Sequence, residues 1–542
     1  MSARQVARGV AGAAALIAVL TVIARLAGFG RTLVFTNTVG ADSTGDTYLA
    51  ANNVPNIVFE VVAGGALASL VVPMLAGGIA SGDREQVRRT ASALLGWTLL
   101  LLVPLAVLVA VLAEPIARLL LGGGGSEAEV QLASRFLLVF APQVVLYGIG
   151  IVLTGVLQAH RRFAGPALAP LLSSVVVAGA YLIFAGMGGA REAADLSTPA
   201  ELVLGVGTTL GVVALSLSLL LPMRGLRLGL RPALRFPVGA APRVRRLAVA
   251  GVLTLAGQQL VAAVAIRLAN DGAPNGTQVV YVAGLTVFLL PWAALAVPLA
   301  TSAYPGLAER ADSGDDAGYR RALAPVAVLT VTATAVAAAA VAAAAGPLAR
   351  VFLGGEEAAR VAALRDTILA FAPGLVGYGL VALLTRALYA RGLWKAPTVC
   401  VLGGWLLAVA ADILLAGALP PEDRALALAA GHTLGVTVAG LGLVLVVVRA
   451  AGPAALRGLG RTGPVALLAA GLGVAAGLWV ARALDADPVP DGTLIGTLAA
   501  GIAAGGTVLV VAAAVMMGTV GAPLRQALRE LRSSGEQEVH GG

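Results

Sequence analysis

The sequence predicts an all-α polytopic membrane protein of about fourteen transmembrane helices: two parallel six-helix repeats followed by two C-terminal helices. Three observations carry this. Apolar residues make up 58% of the 542 and charged residues only 12%, where a soluble domain carries about a quarter charged residues. The apolar residues run in continuous stretches, and roughly 20 residues at 1.5 Å rise cross the hydrocarbon. Landmarks of the first half return in the second at a shift of about 232 positions, the mark of an internal repeat.

The expected spans are 9–36, 47–79, 91–112, 129–158, 164–187, 200–222, 246–269, 277–308, 322–346, 360–389, 396–418, 424–449, 464–484 and 493–519. The second, eighth and tenth are long and hold Pro55, Pro291 and Pro373, so they are expected to tilt or break. None shows the period-two alternation of a membrane β-barrel, which leaves helices to satisfy the backbone in lipid.

The duplication is dense. "EPIARLLLGG" at 114–123 returns as "GPLARVFLGG" at 346–355, and "FAPQVVLYGIGIVLTGVLQA" at 140–159 as "FAPGLVGYGLVALLTRALYA" at 371–390. Pro73 pairs with Pro305, Ser81-Gly82-Asp83 with Ser313-Gly314-Asp315, and Arg88-Arg89 with Arg320-Arg321. Six helices per copy is an even number, so both copies enter the membrane in the same direction, an arrangement found in secondary transporters. The chain divides into a first lobe, 1–234, a second lobe, 235–452, an appendix of helices thirteen and fourteen, 453–520, and a tail, 521–542.

The net charge of +9 reads as a topology signal rather than a nucleic-acid footprint. Lys and Arg gather in loops on the side of the N-terminus, which places both termini in the cytoplasm. Arg4 and Arg8 precede an apolar run that leads into Arg25 and Arg31 without a small-residue cleavage site, so an uncleaved first helix is expected. The 223–245 linker carries Arg224, Arg227, Arg231 and Arg235 at spacings that would align on one face of an interfacial helix. Short amphipathic helices are expected around Pro115 and Pro347, and a short helix in the polar tail.

No catalytic residue, cofactor or metal site is expected. His160, His432 and His540 are scattered, Cys400 is the single cysteine, and no phosphate loop ending in Gly-Lys-Ser/Thr occurs. That favours a secondary transporter or a passive scramblase, with no coupling ion legible. The informative residues are ionisable groups within spans, because an Arg at a helix centre costs about 2.5–3.5 kcal/mol on insertion scales and normally faces a bundle interior. Arg25 and Arg31 can border one wide cavity that takes a phosphate headgroup. Interhelical ion pairing is the competing reading, and Glu60 is expected to pair with Arg25. Arg386 and Asp412 are expected to line a cavity or form an ion pair, Arg135 and Arg365 to snorkel, and Gln258 and Gln259 to bond between helices.

The segment "ARLAGFGRTLVFTNTVGADSTGDTYLAANNVPNIVFEVVAGGALASLVVPML" at 24–75 resembles the start of the MurJ/MviN lipid II flippases. The later "LLPWAALAVPLATSAYPGLAERADSGD" and the six-plus-six-plus-two plan are similar to that family too. The resemblance implies a flippase that moves an undecaprenyl-pyrophosphate-linked peptidoglycan precursor across the bacterial cytoplasmic membrane by alternating access. It implies a cationic central cavity, a groove beside helices thirteen and fourteen for the lipid tail, and a substrate site that includes Arg25, Arg31, Asp46, Asn56 and Glu60. Its partners would be the undecaprenyl-linked lipid, membrane lipids and cell-wall synthesis proteins. The sequence departs from the family at Phe59 and Glu60, where basic residues are usual, and at Gly64 and Thr286. Two competing readings follow: a flippase for another lipid-linked polysaccharide, and a non-transporting cell-wall scaffold.

Overall fold

The computed structural model describes residues 3–61, 65–189, 192–235, 241–485 and 494–540. Gly64, the middle of the 223–245 linker and the 486–493 loop lie outside them. The described helices are α1 (Ala3–Thr38), α2 (Ser43–Phe59), α3 (Gly65–Ala80), α4 (Arg84–Val111), α5 (Ala113–Leu121), α6 (Glu127–Ala159), α7 (Ala164–Gly186), α8 (Thr198–Leu217), α9 (Leu220–Arg224) and α10 (Ala241–Asn270). They continue with α11 (Thr277–Pro291), α12 (Val297–Asp312), α13 (Asp316–Ala343), α14 (Ala345–Leu353), α15 (Ala358–Phe371), α16 (Gly374–Ala390), α17 (Lys395–Ala418), α18 (Arg424–Ala451), α19 (Leu459–Asp485) and α20 (Leu494–His540). No strand occurs among the described residues.

Among the described residues, eleven helices are long and apolar enough to cross a membrane, and α15 with α16, bent by 43°, makes a twelfth. The remaining two expected spans fall on α2 with α3 and on α10, so the count is compatible with fourteen. The second span winds into a π turn at 60–61 at the end of α2, and α3 is described from Gly65 on. The eighth is not broken: it runs as one span from Thr277 to Asp312, with a π segment at Trp292–Ala296 between α11 and α12. The tenth bends at Pro373, whose ring clashes with the carbonyl four residues back.

Element order repeats with the sequence. A 28-residue α4 leads to a 9-residue α5, as a 28-residue α13 leads to a 9-residue α14. The repeated Ser-Gly-Asp has a local cause. Gly82 and Gly314 take φ of +70° and +72°, which glycine adopts without the Cβ penalty. The next residue then caps a helix: the Asp83 carboxylate accepts from the Gln86 N–H at 2.8 Å, and Asp315 from the Gly318 N–H at 2.8 Å. On α5, Arg118 donates to Glu114 and Glu127; these bonds, Glu114 first, raise the guanidinium above its ordinary pKa.

Residues 14–279 and 280–542 form two compact units, with the first thirteen residues grouped with the second. Helix α10 opens the second repeat by sequence, yet it packs on α2, α3 and α5 in the first unit. Helix contacts are made by small residues, as expected where lipid removes the hydrophobic drive. A Cβ at Gly148 would collide with Leu102 and Thr98 of α4. In the second unit α19 and α20 seat alanines such as Ala466, Ala469, Ala504 and Ala512 against Ala335, Ala339 and Ala343 of α13.

The linker corrects the sequence expectation. Beyond α9 it is irregular through Arg235, not helical, with left-handed φ of +49° at Arg227 and +58° at Gly229. Leu226, Leu228 and Leu230 turn in at every second residue onto Val87, Ala91 and Leu94 of the core, which is strand periodicity. Arg227, Arg231 and Arg235 are exposed. Backbone bonds secure the strap, with Ala233 N–H donating to the Ser92 carbonyl at 3.0 Å and Trp97 Nε1 to the Leu234 carbonyl at 2.9 Å.

Candidate functional site

In the first unit, α1 carries Arg25 and Arg31. Arg25 is exposed and Arg31 half-buried. Neither forms a hydrogen bond or ion pair with a described residue. Arg31 lies close enough to the hydroxyls of Tyr48, Tyr181 and Tyr147 to act on them electrostatically.

Two of those hydroxyls belong to a closed network. Tyr48 Oη is 2.9 Å from Tyr181 Oη and 2.6 Å from Thr208 Oγ1. Thr208 spends its one proton on the Leu204 carbonyl at 2.7 Å. The protons therefore run Tyr181 to Tyr48 to Thr208, with every donor used. Phe35, Phe136 and Phe140 surround Tyr48 at ring distances of 5.4, 5.7 and 5.9 Å.

Asp46 is 5% exposed. Its two oxygens accept the backbone N–H groups of Gly276 at 2.7 Å and Val279 at 2.9 Å. These are orphan donors at the start of α11, so the carboxylate caps that helix. Gly276 has φ +92°, and a Cβ there would collide with the Ala41 carbonyl, so the approach of the two segments requires glycine. A small cavity, about 60 Å³, lies beside Asp46 and is lined by Ser43, Glu129, Asn270 and Asn275.

Asn56 and Glu60 lie one turn apart on α2 and its π turn, both half-buried. The expected Arg25–Glu60 ion pair is not formed: neither side chain makes an ion pair with a described residue, Glu60 is half-buried and Arg25 is exposed. Phe59 instead packs inward on Leu102, Ala106 and Val144. Its ring meets Tyr147 at 5.6 Å and 32°, and Tyr147 is within electrostatic reach of both Arg31 and Glu60.

In the second unit, Arg386 is half-buried and donates to the Ala382 carbonyl at 2.8 Å, one turn back on its own helix. Asp412 is fully buried, and both its oxygens lack a hydrogen-bond partner. A Cβ at Gly431 would collide with Oδ1. The next residue, His432, is 8% exposed with both ring nitrogens unpartnered. Phe288, Phe371 and Trp405 surround the imidazole at 5.5 Å each. Of the residues expected to snorkel, Arg135 pairs with Glu201 at 2.8 Å and Arg365 with Asp366 at 2.8 Å.

Sequence reasoning passed over Tyr147, Asn52 and His432. An aromatic in a membrane helix reads as packing. The signal available was the duplication: Tyr147 and Tyr378 occupy matching places in the 140–159 and 371–390 segments, and each pairs with a ring at the π distortion of an earlier span.

A duplicated bundle of membrane-crossing helices, with charged side chains held inside the spans and distorted helices beside them, defines a polytopic transporter-type membrane protein. The chain belongs to the lipid II flippase MurJ family, whose model matches residues 35–480. It is similar to a probable lipid II flippase of Vibrio cholerae, 28% identical over 171 residues, covering 30% of this chain and 32% of the relative. The match to that relative and several others thus spans about a third of their length. The lipid II flippase of Burkholderia cenocepacia is 25% identical over 399 residues, covering 71% of this chain and 74% of the relative. Among solved structures, a lipid II flippase in an inward closed conformation shares the fold with a TM-score of 0.71 at 18% identity, covering 93% of this chain and 99% of that one. An inward-facing multidrug transporter of the MATE family gives 0.63 at 15% identity, covering 79% and 94%.

Proposed function

We propose that the chain is a flippase for an undecaprenyl-pyrophosphate-linked peptidoglycan precursor, lipid II, in the bacterial cytoplasmic membrane, with both termini on the cytoplasmic side. The observation that carries this reading is Arg31: a half-buried guanidinium on a membrane helix with no carboxylate partner among the described residues. Such a charge costs about 2.5–3.5 kcal/mol to insert, and the cost is offset by an anion that arrives from outside. A guanidinium donates in a fork that fits phosphate, and the relatives' names supply a lipid with a pyrophosphate. Arg25, exposed on the same helix, adds attraction during entry. Asn56 and Glu60 line the same part of the first unit, and Asp46 braces it. Arg386 and Asp412 belong to the second unit and contribute to its interior. Cell-wall synthesis proteins are the expected neighbours.

The test is translocation of lipid II in cells depleted of their essential flippase and supplied with this chain. Accumulation of the lipid on the inner leaflet, with the protein present in the membrane, would favour the scaffold reading, which Glu60 in a usually basic position also motivates. Topology has a separate check. Cysteines placed at 223–235 in a Cys400-free background should resist an impermeant thiol reagent in intact cells, and those in the 192–199 loop should label.

A further inference from the structure

Helix α2 presents Asn52, Asn56 and Glu60 at four-residue intervals. Each step of four turns the helix by about 40° beyond a full circle, so the three fall within one 80° face. All three are half-buried. None makes a side-chain hydrogen bond to a described residue. That is unusual for this bundle, where polar side chains on spans bond back one turn. Asn53 donates to the Leu49 carbonyl at 2.8 Å, Thr32 to Gly28 at 3.2 Å, and Thr286 to Val282 at 2.8 Å. Asn52 and Asn56 each retain two amide N–H donors and a carbonyl acceptor, and Glu60 two carboxylate oxygens that only accept, none of them used by another described residue.

The residues around this row set the chemistry of its ligand. Tyr147 of α6 has its ring against Phe59 and is within electrostatic reach of both Arg31 and Glu60. The helix also winds a π turn at Glu60, a distortion common at functional sites. The groups on offer are therefore a cation, a phenol, a carboxylate and two amides. A purely phosphate ligand fits only the cation, because Glu60 repels it. A ligand with an anionic end and a neutral run of hydroxyl groups fits all of them. Hydroxyls donate to the carboxylate and exchange both ways with amides, and sites built on such groups discriminate strongly against analogues that lack them.

We propose that Asn52, Asn56, Glu60 and Tyr147 form a sugar subsite that reads the glycan attached to a phosphate held by Arg31. This rests on the flippase reading above and adds to it a specificity for glycosylated over bare polyprenyl pyrophosphate. The carboxylate at 60 then has a use: it accepts sugar hydroxyls.

The experiment measures binding of two probes to the purified full-length protein by native mass spectrometry: undecaprenyl pyrophosphate, and the same lipid carrying the disaccharide without peptide. The wild type should prefer the sugar-bearing lipid by about tenfold or more, the scale of one or two hydrogen bonds to a charged group. Glu60→Gln and Tyr147→Phe should each cut that preference several-fold while leaving the affinity for the bare lipid unchanged or, for Glu60→Gln, higher. Arg31→Gln should weaken both lipids. Asn52→Ala is the reserve variant if Glu60→Gln does not fold, and it too should lower the preference alone. A preference unchanged in these variants, or a loss equal for both lipids, overturns the subsite. So does an effect of Glu60→Gln confined to a third, peptide-bearing lipid, which would assign Glu60 to an amine. A wild type that binds both probes equally sinks the subsite and spares the flippase reading; one that binds neither sinks the flippase reading itself.

Discussion

The two repeats build the same aromatic joint and surround it differently. In the first, Phe59 at the end of α2 meets Tyr147 of α6 at 5.6 Å. In the second, Trp292 beyond α11 meets Tyr378 of α16 at 4.4 Å. Both joints sit at a π distortion, 60–61 and 292–296. Nearby polar groups are opposite in state. In the first unit the Tyr181, Tyr48 and Thr208 hydroxyls form a satisfied chain, while Arg31 and Glu60 keep access to the outside. In the second, on the corresponding helices α17 and α18, Asp412 and His432 are sealed among rings with four polar atoms unpartnered. Duplication has kept the winding and the stacking, which depend on shape, and has let the charges diverge. The first unit is arranged to meet a charged ligand, and the second carries an unsatisfied interior.

The largest expected effect tests the open side of this comparison. Arg31→Ala should abolish complementation of a depleted flippase while protein levels in the membrane stay normal. Retained complementation would mean that the unpaired guanidinium is incidental and that the contrast between the units has no functional content.

The sealed side is tested by stability in detergent. Tyr48→Phe removes one link from a satisfied buried chain and strands its neighbours, which should cost about 1–3 kcal/mol. Asp412→Asn removes a buried charge that has no partner, and should leave stability unchanged or raise it. A loss on Asp412→Asn as large as that of Tyr48→Phe would show that the carboxylate is engaged in the folded protein, and the contrast between the two clusters would disappear.

A finer comparison uses one glycine from each repeat. Gly148 and Gly379 occupy matching positions on α6 and α16. A Cβ at 148 would run into the side chains of Leu102 and Thr98, whereas one at 379 would meet Thr334 at 2.8 Å and Thr330 at 3.4 Å. Overpacking of this kind costs about 1–3 kcal/mol. Gly148→Ala should fall in that range and Gly379→Ala below it, because only the first displaces a fully buried leucine. Equal losses in a thermal-unfolding series would mean that both helix pairs relax alike.

The spans and the repeat were legible in the sequence because both depend on local composition and on matching landmarks. The Gly82-Asp83 and Gly314-Asp315 caps were legible for the same reason, since a positive φ followed by a capping carboxylate is written in adjacent residues. What was not legible depended on distance or on a competing period. Arginines at 224, 227, 231 and 235 suggested a helix, but Leu226, Leu228 and Leu230 carry the stronger signal, and their burial holds the strap against the core as an irregular, non-helical segment. Asp46 was visible as a charge, while its partners lie some 230 residues away at Gly276 and Val279. The open row of Asn52, Asn56 and Glu60 could be read as one helical face, but its freedom from back-bonding could not. The π turn beneath it has no side-chain signature.

The smallest expected effect concerns Arg25 and Glu60. The two were expected to pair, yet the two side chains form no ion pair here. Arg25 is exposed on α1, so its Coulomb interactions are weakened by the high dielectric around it. Glu60→Gln and Arg25→Gln should therefore be additive in a thermal-stability cycle, with a coupling within about 0.3–0.5 kcal/mol, the range for independent sites. A coupling well above this would mean that the two meet in another conformation of the transport cycle. Glu60 would then be neutralised by Arg25 for part of the cycle rather than kept open for substrate. The first unit would lose the open anion that distinguishes it from the second, and the sugar subsite would have to be confined to the amides and Tyr147.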